Sequence, residues 1–434
     1  MHYQEAIDFL FPLHRFGIRP GLERIAVLLE ELDCPQQRLG TVVHIAGTNG
    51  KGTVAACMAS IFQAAGYRTG LYTSPHLVDF TERIRIDGRK IPQSAVASYC
   101  SRIAPAVIRE KATFFEATTA MAFAYFASEH VDVSVIETGM GGRLDATNMV
   151  NAGFVVIPSI GRDHTAWLGE SLDTIAREKA AIIKSGSRVY TGVRDPAALD
   201  QIRSAADGCG APLFIAGKDA ACRVAGAALG RIDLEVLVPP GRPRCYQVPL
   251  TGSFHAVNVT LAVMVALAAG IREEDIARGL SGLASTGYRA RLEQIAVRPA
   301  VLLDVSHNPD GMEKSVQAIR ETAGGYRSLV VLIGLASDKD ALHVVLPLAE
   351  LAGRFVTVNL PSERGLPSER LGAVCAEAGA AEVVVCDAVA DGLEKARSMA
   401  GPEDMILVTG SFYLAGEVIR LVEPEPGDGE SRCT

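Results

Sequence analysis

Gly47, Thr48, Asn49, Gly50, Lys51, Gly52 and Thr53 are the residues best equipped for chemistry in this sequence. Glycines at 47, 50 and 52 let successive backbone N–H groups turn towards one point, and the N-terminus of a following helix adds a positive dipole. Lys51 can reach the outer phosphates of a nucleotide, and the Thr53 hydroxyl can bind Mg²⁺. These residue types describe an ATP phosphate site. The spacing is unusual, because Gly52 stands between the lysine and the threonine. A glycine-rich turn with a surface lysine is the plainer alternative, but the context argues against it. Val42-Val-His-Ile-Ala46 reads as a buried strand, and an apolar helical stretch runs on from the loop to Ala65.

A second polar constellation follows another strand, in Ile136-Glu-Thr-Gly-Met-Gly-Gly-Arg-Leu-Asp-Ala-Thr-Asn148. Glu137 stands at the carboxyl end of that strand, where open α/β sheets bind ligands. Ile157-Pro-Ser-Ile-Gly-Arg-Asp-His164 is a further strand ending in polar residues, and Glu178-Lys179 lies within a helical stretch. Glu137 is a hard oxygen ligand, so Mg²⁺ is the expected ion beside ATP. His164 is an unusual ligand for Mg²⁺, and on its own it reads equally as a helix cap or core histidine. Lys179 on its own reads as a solvated surface lysine. Ser74-Pro75-His76 on its own reads as a polar turn.

The elements that must position these residues alternate between strand and helix. Short apolar runs at 131–136 and 153–157 alternate with helical patterns at 118–129 and 172–184, which predicts a mostly parallel sheet with helices on both faces. Residues 187–250 are rich in Gly, Pro and Arg and predict a small antiparallel addition, followed by a helix at 256–269. Runs at 300–304, 328–333, 355–359, 382–385 and 405–409 start a second βα series near 296. The fold class expected is therefore α/β. It comprises an N-terminal phosphate-loop ATPase unit over 1–293 and a C-terminal Rossmann-like unit over 294–434. The acidic, Pro- and Gly-rich stretch from Glu423 is expected to be frayed.

Composition narrows the partners. The 434 residues are 48% hydrophobic and 21% charged, which suits a globular chain with a sizeable core. A net charge of −8 supplies no basic field for nucleic acid, so anionic ligands need locally placed cations. Nine cysteines with no C-x-x-C pair suggest reduced thiols rather than a disulfide framework or zinc site. No apolar run is long enough to span a bilayer and the N-terminus does not look like a signal peptide, so a cytoplasmic protein is expected.

The order of these motifs resembles the folylpolyglutamate synthase and dihydrofolate synthase branch of the Mur ligase superfamily. The resemblance runs from His44-Ile-Ala-Gly-Thr-Asn-Gly-Lys-Gly-Thr53 through Thr73-Ser-Pro-His-Leu77, Glu82-Arg-Ile84, Thr113-Phe-Phe-Glu116 and the 137–148 stretch. It continues with Asp163-His164, Trp167-Leu-Gly169, Glu178-Lys-Ala180, Leu303-Asp-Val-Ser-His-Asn-Pro309, Gly334-Leu-Ala-Ser-Asp-Lys-Asp340 and Gly410-Ser-Phe-Tyr-Leu414. It implies an ATP-dependent ligase that phosphorylates a pterin-linked carboxylate and joins it to L-glutamate through an acyl phosphate. Thr53 and Glu137 would hold one Mg²⁺. Glu137, His164 and a carbamylated Lys179 would hold a second. Asn258, Arg291 and Asp304 match nucleotide-contacting positions, with Arg289 an alternative to Arg291 across Ala290. Ser74, His76, Arg83, Asp145, His307 and Ser411 match the substrate region, and Lys51, His164, Lys179 and His307 are the expected catalytic groups. The branch is typically monomeric and acts on small molecules alone.

Where the family usually has a His-Gln pair, this chain reads Phe254-His255, and Arg162 stands where an apolar residue is common. Dihydropteroate, folyl(poly)glutamate or both fit as acceptors. Another Mur-type amide ligase acting on a different carboxylate is the nearest alternative, although 46 residues before the phosphate loop leave little room for the usual precursor-binding domain. A nucleotide-binding switch is the alternative from outside enzymology. It would need the phosphate loop but not Glu137, His164 and Lys179.

Overall fold

The computed structural model describes residues 1–17, 19–362 and 364–423. Its first sheet contains β1 (Thr41–Ile45), β2 (Thr69–Tyr72), β3 (Ile84–Ile86), β4 (Arg89–Lys90), β5 (Val133–Glu137), β6 (Phe154–Ile157), β7 (Arg188–Thr191) and β8 (Leu213–Ile215), in the order 4-3-2-5-1-6-7-8. β1 lies between β5 and β6, parallel to both. Alternate residues of these strands enter two separate cores. Val42, Ile136 and Val155 pack on one face, and Val43, Ile45, Val135 and Val156 on the other. Such strands carry apolar residues on both faces and read as continuous runs.

The helix Lys51–Ala64 fills one face and is buried at every position from Thr53 to Phe62. The helix Phe114–Ser128 fills the other, starting at Thr113, whose hydroxyl accepts from Glu116 N–H while Glu116 reaches back to the Thr113 N–H.

A three-stranded antiparallel sheet follows, made of β9 (Ala221–Ala228), β10 (Arg231–Leu237) and β11 (Arg244–Val248). The antiparallel addition expected over 187–250 is therefore smaller, because β7 and β8 continue the parallel sheet. These two strands are three or four residues long and β8 is only half-buried, so their apolar signal is weak.

The second sheet contains β12 (Glu293–Val297), β13 (Ala300–Leu303), β14 (Leu329–Ile333), β15 (Arg354–Val358), β16 (Glu382–Cys386) and β17 (Met405–Thr409), in the order 12-13-17-14-15-16. It is parallel except for β12, an antiparallel edge strand whose partly exposed residues gave no strand signal. Every strand expected in this half is present within one residue of its expected bounds. Glu423 opens the stretch expected to fray. Arg289 grips its carboxylate with both terminal nitrogens, at 2.7 and 2.8 Å, and the remainder of that stretch lies outside the described residues. Among the described residues no helix is long and apolar enough to cross a membrane.

Candidate active site

The register of β1 on β5 sets Ile45 beside Glu137, so the phosphate loop and that carboxylate leave the sheet edge together. Gly50 caps the helix that follows in the left-handed region, at φ 88°. A Cβ there would sit 2.5 Å from the Asn258 amide oxygen, so glycine is required by both conformation and space. Asn258 is thereby packed directly against the loop. The loop is also tied to the end of β6. Ser159 Oγ accepts from Asn49 N–H and donates to the Asn49 carbonyl, and Thr48 Oγ1 exchanges hydrogen bonds with Gly161.

Two lysines converge on one carbonyl of the loop. Lys51 Nζ donates to the oxygens of Gly47 (3.0 Å) and Thr48 (3.2 Å), and Lys179 Nζ donates to the same Gly47 oxygen at 3.0 Å. Lys179 is buried, so it is no solvated surface lysine. Burial, followed by the neighbouring charge of Lys51, lowers its pKa from 10.5 to about 7. Lys51 also acts electrostatically on Glu137 and His164.

Glu137 is buried, and burial raises its pKa against the pull of Lys51. Among the described residues its carboxylate takes one hydrogen bond, from Ser74 N–H at 3.2 Å. His164 is the residue before a short helix and sits in the left-handed region at φ 53°. Such a conformation in a non-glycine residue is strained and clusters at functional sites. Burial holds its pKa down to about 4, so the imidazole is neutral and keeps a lone pair for a ligand. Thr53 is buried, with its hydroxyl 2.6 Å from that of Tyr288.

No three His, Cys, Asp or Glu side chains converge as a metal site among the described residues. The expected set holds only two of those types, Glu137 and His164, with oxygen from Thr53 and a modified Lys179 completing it. A buried, sparsely bonded carboxylate and a buried hydroxyl suit a hard divalent cation, whereas the neutral imidazole is a borderline ligand.

A cavity of about 1330 Å³ opens between the two sheets' ends, lined by Ser74, Arg83, Phe114, Asp145, His164, His307 and Lys339 among others. Arg83 is its most unusual lining residue. It is buried and has no carboxylate partner among the described residues. Its Nε donates to His76 Nδ1 at 2.7 Å, and its guanidinium lies 5.0 Å from the Phe114 ring centroid. Burial holds the His76 pKa down to about 3, so this ring stays a neutral acceptor. His14 stacks on Phe114 at 4.0 Å. Asp145 is buried and accepts from the N–H groups of Gly139, Met140 and Thr147, so it shapes the loop after β5.

The second unit closes the cavity. His307 Nδ1 lies 2.9 Å from the Val305 carbonyl, and its Nε2 is 3.8 Å from Asp163. Asp163 also accepts from Lys339 Nζ at 2.8 Å and Asn308 Nδ2 at 3.1 Å. Asn308 and Asp310 in turn bond Asn49 in the phosphate loop. This bridge is only partly legible in the sequence: Asp163 and Lys339 stand inside the Asp163-His164 and Gly334–Asp340 motifs, but nothing in the sequence pairs them.

A smaller cavity of about 70 Å³ is lined by Gly52, Glu137, Tyr288, Arg289 and Arg291, with Ser74 and Pro75 shared between the two. Arg291 lies over Phe412 and Tyr288 with no carboxylate partner among the described residues, whereas Arg289 is committed to Glu293 and Glu423. Arg291 is therefore the arginine available to an anion. Neither cavity is lined by Lys51, Thr53, His76, Lys179, Asn258, Asp304 or Ser411. Asp304 is buried and accepts from Ser306 N–H and Ser315 Oγ, and Ser411 caps the helix Phe412–Val422.

Comparison with known proteins matches residues 45–266 to the Mur ligase middle domain and residues 290–412 to the Mur ligase glutamate ligase domain. A Haloferax volcanii protein named probable bifunctional folylpolyglutamate synthase/dihydropteroate synthase is 36% identical over 96% of this chain, which spans 50% of that relative. A Bacillus subtilis dihydrofolate synthase/folylpolyglutamate synthase is 32% identical over 96% of this chain and 98% of its own length. Escherichia coli FolC in complex with DHPP and ADP superimposes with a TM-score of 0.87 at 31% identity, covering 97% of this chain and 98% of that one. A bifunctional folylpolyglutamate synthase/dihydrofolate synthase from Yersinia pestis, complexed with AMPPNP and Mn, superimposes with a TM-score of 0.84 at 28% identity, covering 97% of this chain and 98% of that one.

Proposed function

We infer the function from one premise: the chain belongs to the folylpolyglutamate synthase/dihydrofolate synthase family of Mur ligases. Its activity is then ATP-dependent ligation of L-glutamate to a pterin-linked carboxylate, either dihydropteroate or a folyl(poly)glutamate, with release of ADP and phosphate. The first relative named above is twice as long as this chain, so the reading concerns the ligase reaction alone. Residues 1–293 would carry the nucleotide and 294–434 the glutamate-ligase half.

Two cationic features carry the reading, one on the phosphate loop and one at the large cavity. The Lys51–Lys179 pair sits on the phosphate loop, and the buried Arg83 faces the large cavity with no carboxylate of its own. A buried guanidinium without a partner is costly, and an acceptor carboxylate would offset that cost. Phe114 and His14 offer flat apolar faces beside it for an aromatic acceptor. His76 positions Arg83, and Ser74 joins that region to Glu137.

Gly47 to Thr53 would cradle the phosphates, with Asn258, Arg291 and Asp304 on the rest of the nucleotide. Lys51 would offset charge building on the transferring phosphoryl oxygens. One carboxylate oxygen of the acceptor attacks phosphorus and ADP leaves. The glutamate amine then attacks the carbonyl carbon, and phosphate leaves with that oxygen. The cavity walls contributed by His307, Asn308 and Lys339 would keep water from the activated carboxylate.

Thr53, Glu137, His164 and Lys179 would hold two Mg²⁺ ions, which when bound neutralise phosphate charge. A lysine with a pKa near 7 is half unprotonated at neutral pH, so its nitrogen can add to CO₂ with loss of a proton. The resulting carbamate replaces a cation by an anionic oxygen ligand. His307 and Ser411 would serve the incoming glutamate. A cytoplasmic monomer is expected from the family resemblance.

Purified protein given ATP, Mg²⁺ and L-glutamate should release ADP only when dihydropteroate or tetrahydrofolate is also present. ADP release that ignores both acceptors would sink this reading and favour a nucleotide switch.

A further inference from the structure

The Tyr288 hydroxyl lies 2.6 Å from that of Thr53, and this is its one hydrogen bond among the described residues. The side chain is half-buried at the edge of the small cavity. Its ring edge and the Glu137 carboxylate both lie near Gly52. A Cβ on that glycine would lie 3.9 Å from Tyr288 Cε2 and 3.9 Å from Glu137 Oε2. Tyr288, Glu137 and Arg291 share the small cavity with Gly52.

A hydroxyl has one proton and two lone pairs. When Thr53 Oγ1 binds a cation through a lone pair, its proton points away and needs an acceptor. A ligand whose remaining hydrogen bond is fixed by a partner is held in one orientation. We propose that Tyr288 is that partner. Its phenolic oxygen accepts the Thr53 proton and turns the threonine lone pairs towards the nucleotide-bound divalent cation. Tyr288 is a positioning residue, acting through Thr53.

This inference rests on the reading above that Thr53 is a metal ligand. It adds a link between halves of the molecule. Tyr288 belongs to the segment 286–291, which leads directly into β12 and carries Arg291. Any shift of the second unit that moves this segment would move the hydroxyl that orients Thr53, so cation binding and interdomain geometry are coupled through one hydrogen bond.

Tyr288→Phe in the full chain keeps the ring beside Gly52 and Arg291 and removes only the hydroxyl. ADP binding is measured by calorimetry with Mg²⁺ and with EDTA. Binding in EDTA should stay within about twofold of the parent, while the half-saturating Mg²⁺ concentration should rise roughly tenfold, as for loss of a ligand's supporting hydrogen bond. Thr53→Val should abolish the gain from Mg²⁺, and adding Tyr288→Phe to it should change nothing further. Unaltered Mg²⁺ dependence in Tyr288→Phe, or an equal loss with and without Mg²⁺, overturns the proposal alone. Unaltered Mg²⁺ dependence in Thr53→Val overturns the metal-ligand reading and the proposal together.

Discussion

Lys51→Ala is expected to lower kcat about 10²–10³-fold, equivalent to about 2.7–4 kcal/mol of lost transition-state stabilisation. Lys51 opens the Lys51–Ala64 helix, and its Nζ is already held over the Gly47 and Thr48 carbonyls, so its charge is placed before substrate arrives. Phosphoryl transfer leaves little for a protein to do except position groups and offset charge. The side chain is only half-buried, so truncation leaves the core intact. Arginine should not restore activity, because its planar fork replaces a compact point charge between two carbonyls. A second effect follows at Lys179, whose pKa is lowered in part by Lys51. Removing that like charge should raise it. Steady-state ADP release measures kcat, and a near-normal value would show that the phosphates lie elsewhere.

Lys179→Ala is expected to cost at least about 10²-fold in turnover, since it removes both a neighbour of Lys51 and the proposed carbamate ligand. The parent protein should show a dependence on CO₂ with a definite sign. Burial lowers the Lys179 pKa to about 7, so the amine is neutral above that pH and protonated below it. Only the neutral amine adds to CO₂. Protein stripped of CO₂ at pH 6 should lose activity and recover on bicarbonate at pH 8. With ¹³C-bicarbonate, a carbamate carbon signal should appear in the parent and be missing in Lys179→Ala. Full activity in that variant would contradict the metal-site assignment and favour a nucleotide switch.

The βα order was legible because parallel strands buried on both faces leave unbroken apolar runs, as in Val133–Glu137 and Met405–Thr409. β12 was missed because an exposed edge strand carries no such run. Residues at strand ends, such as Glu137, could be placed from the strand pattern alone. His164 and Lys179 could not, because only the fold brings their segments to the same loop. Tyr288 gave no signal, since its partner Thr53 is distant in sequence. Arg162 is exposed and lines the large cavity, a placement its sequence context did not signal.

The central claim is that the acceptor carboxylate is activated as an acyl phosphate between the Lys51–Lys179 pair and Arg83. An acceptor labelled with ¹⁸O in its carboxylate, turned over with ATP and L-glutamate, tests it most directly. One ¹⁸O should appear in the released inorganic phosphate for each amide formed, because phosphate leaves with the oxygen that attacked phosphorus. Unlabelled phosphate accompanying labelled or absent amide product would contradict it.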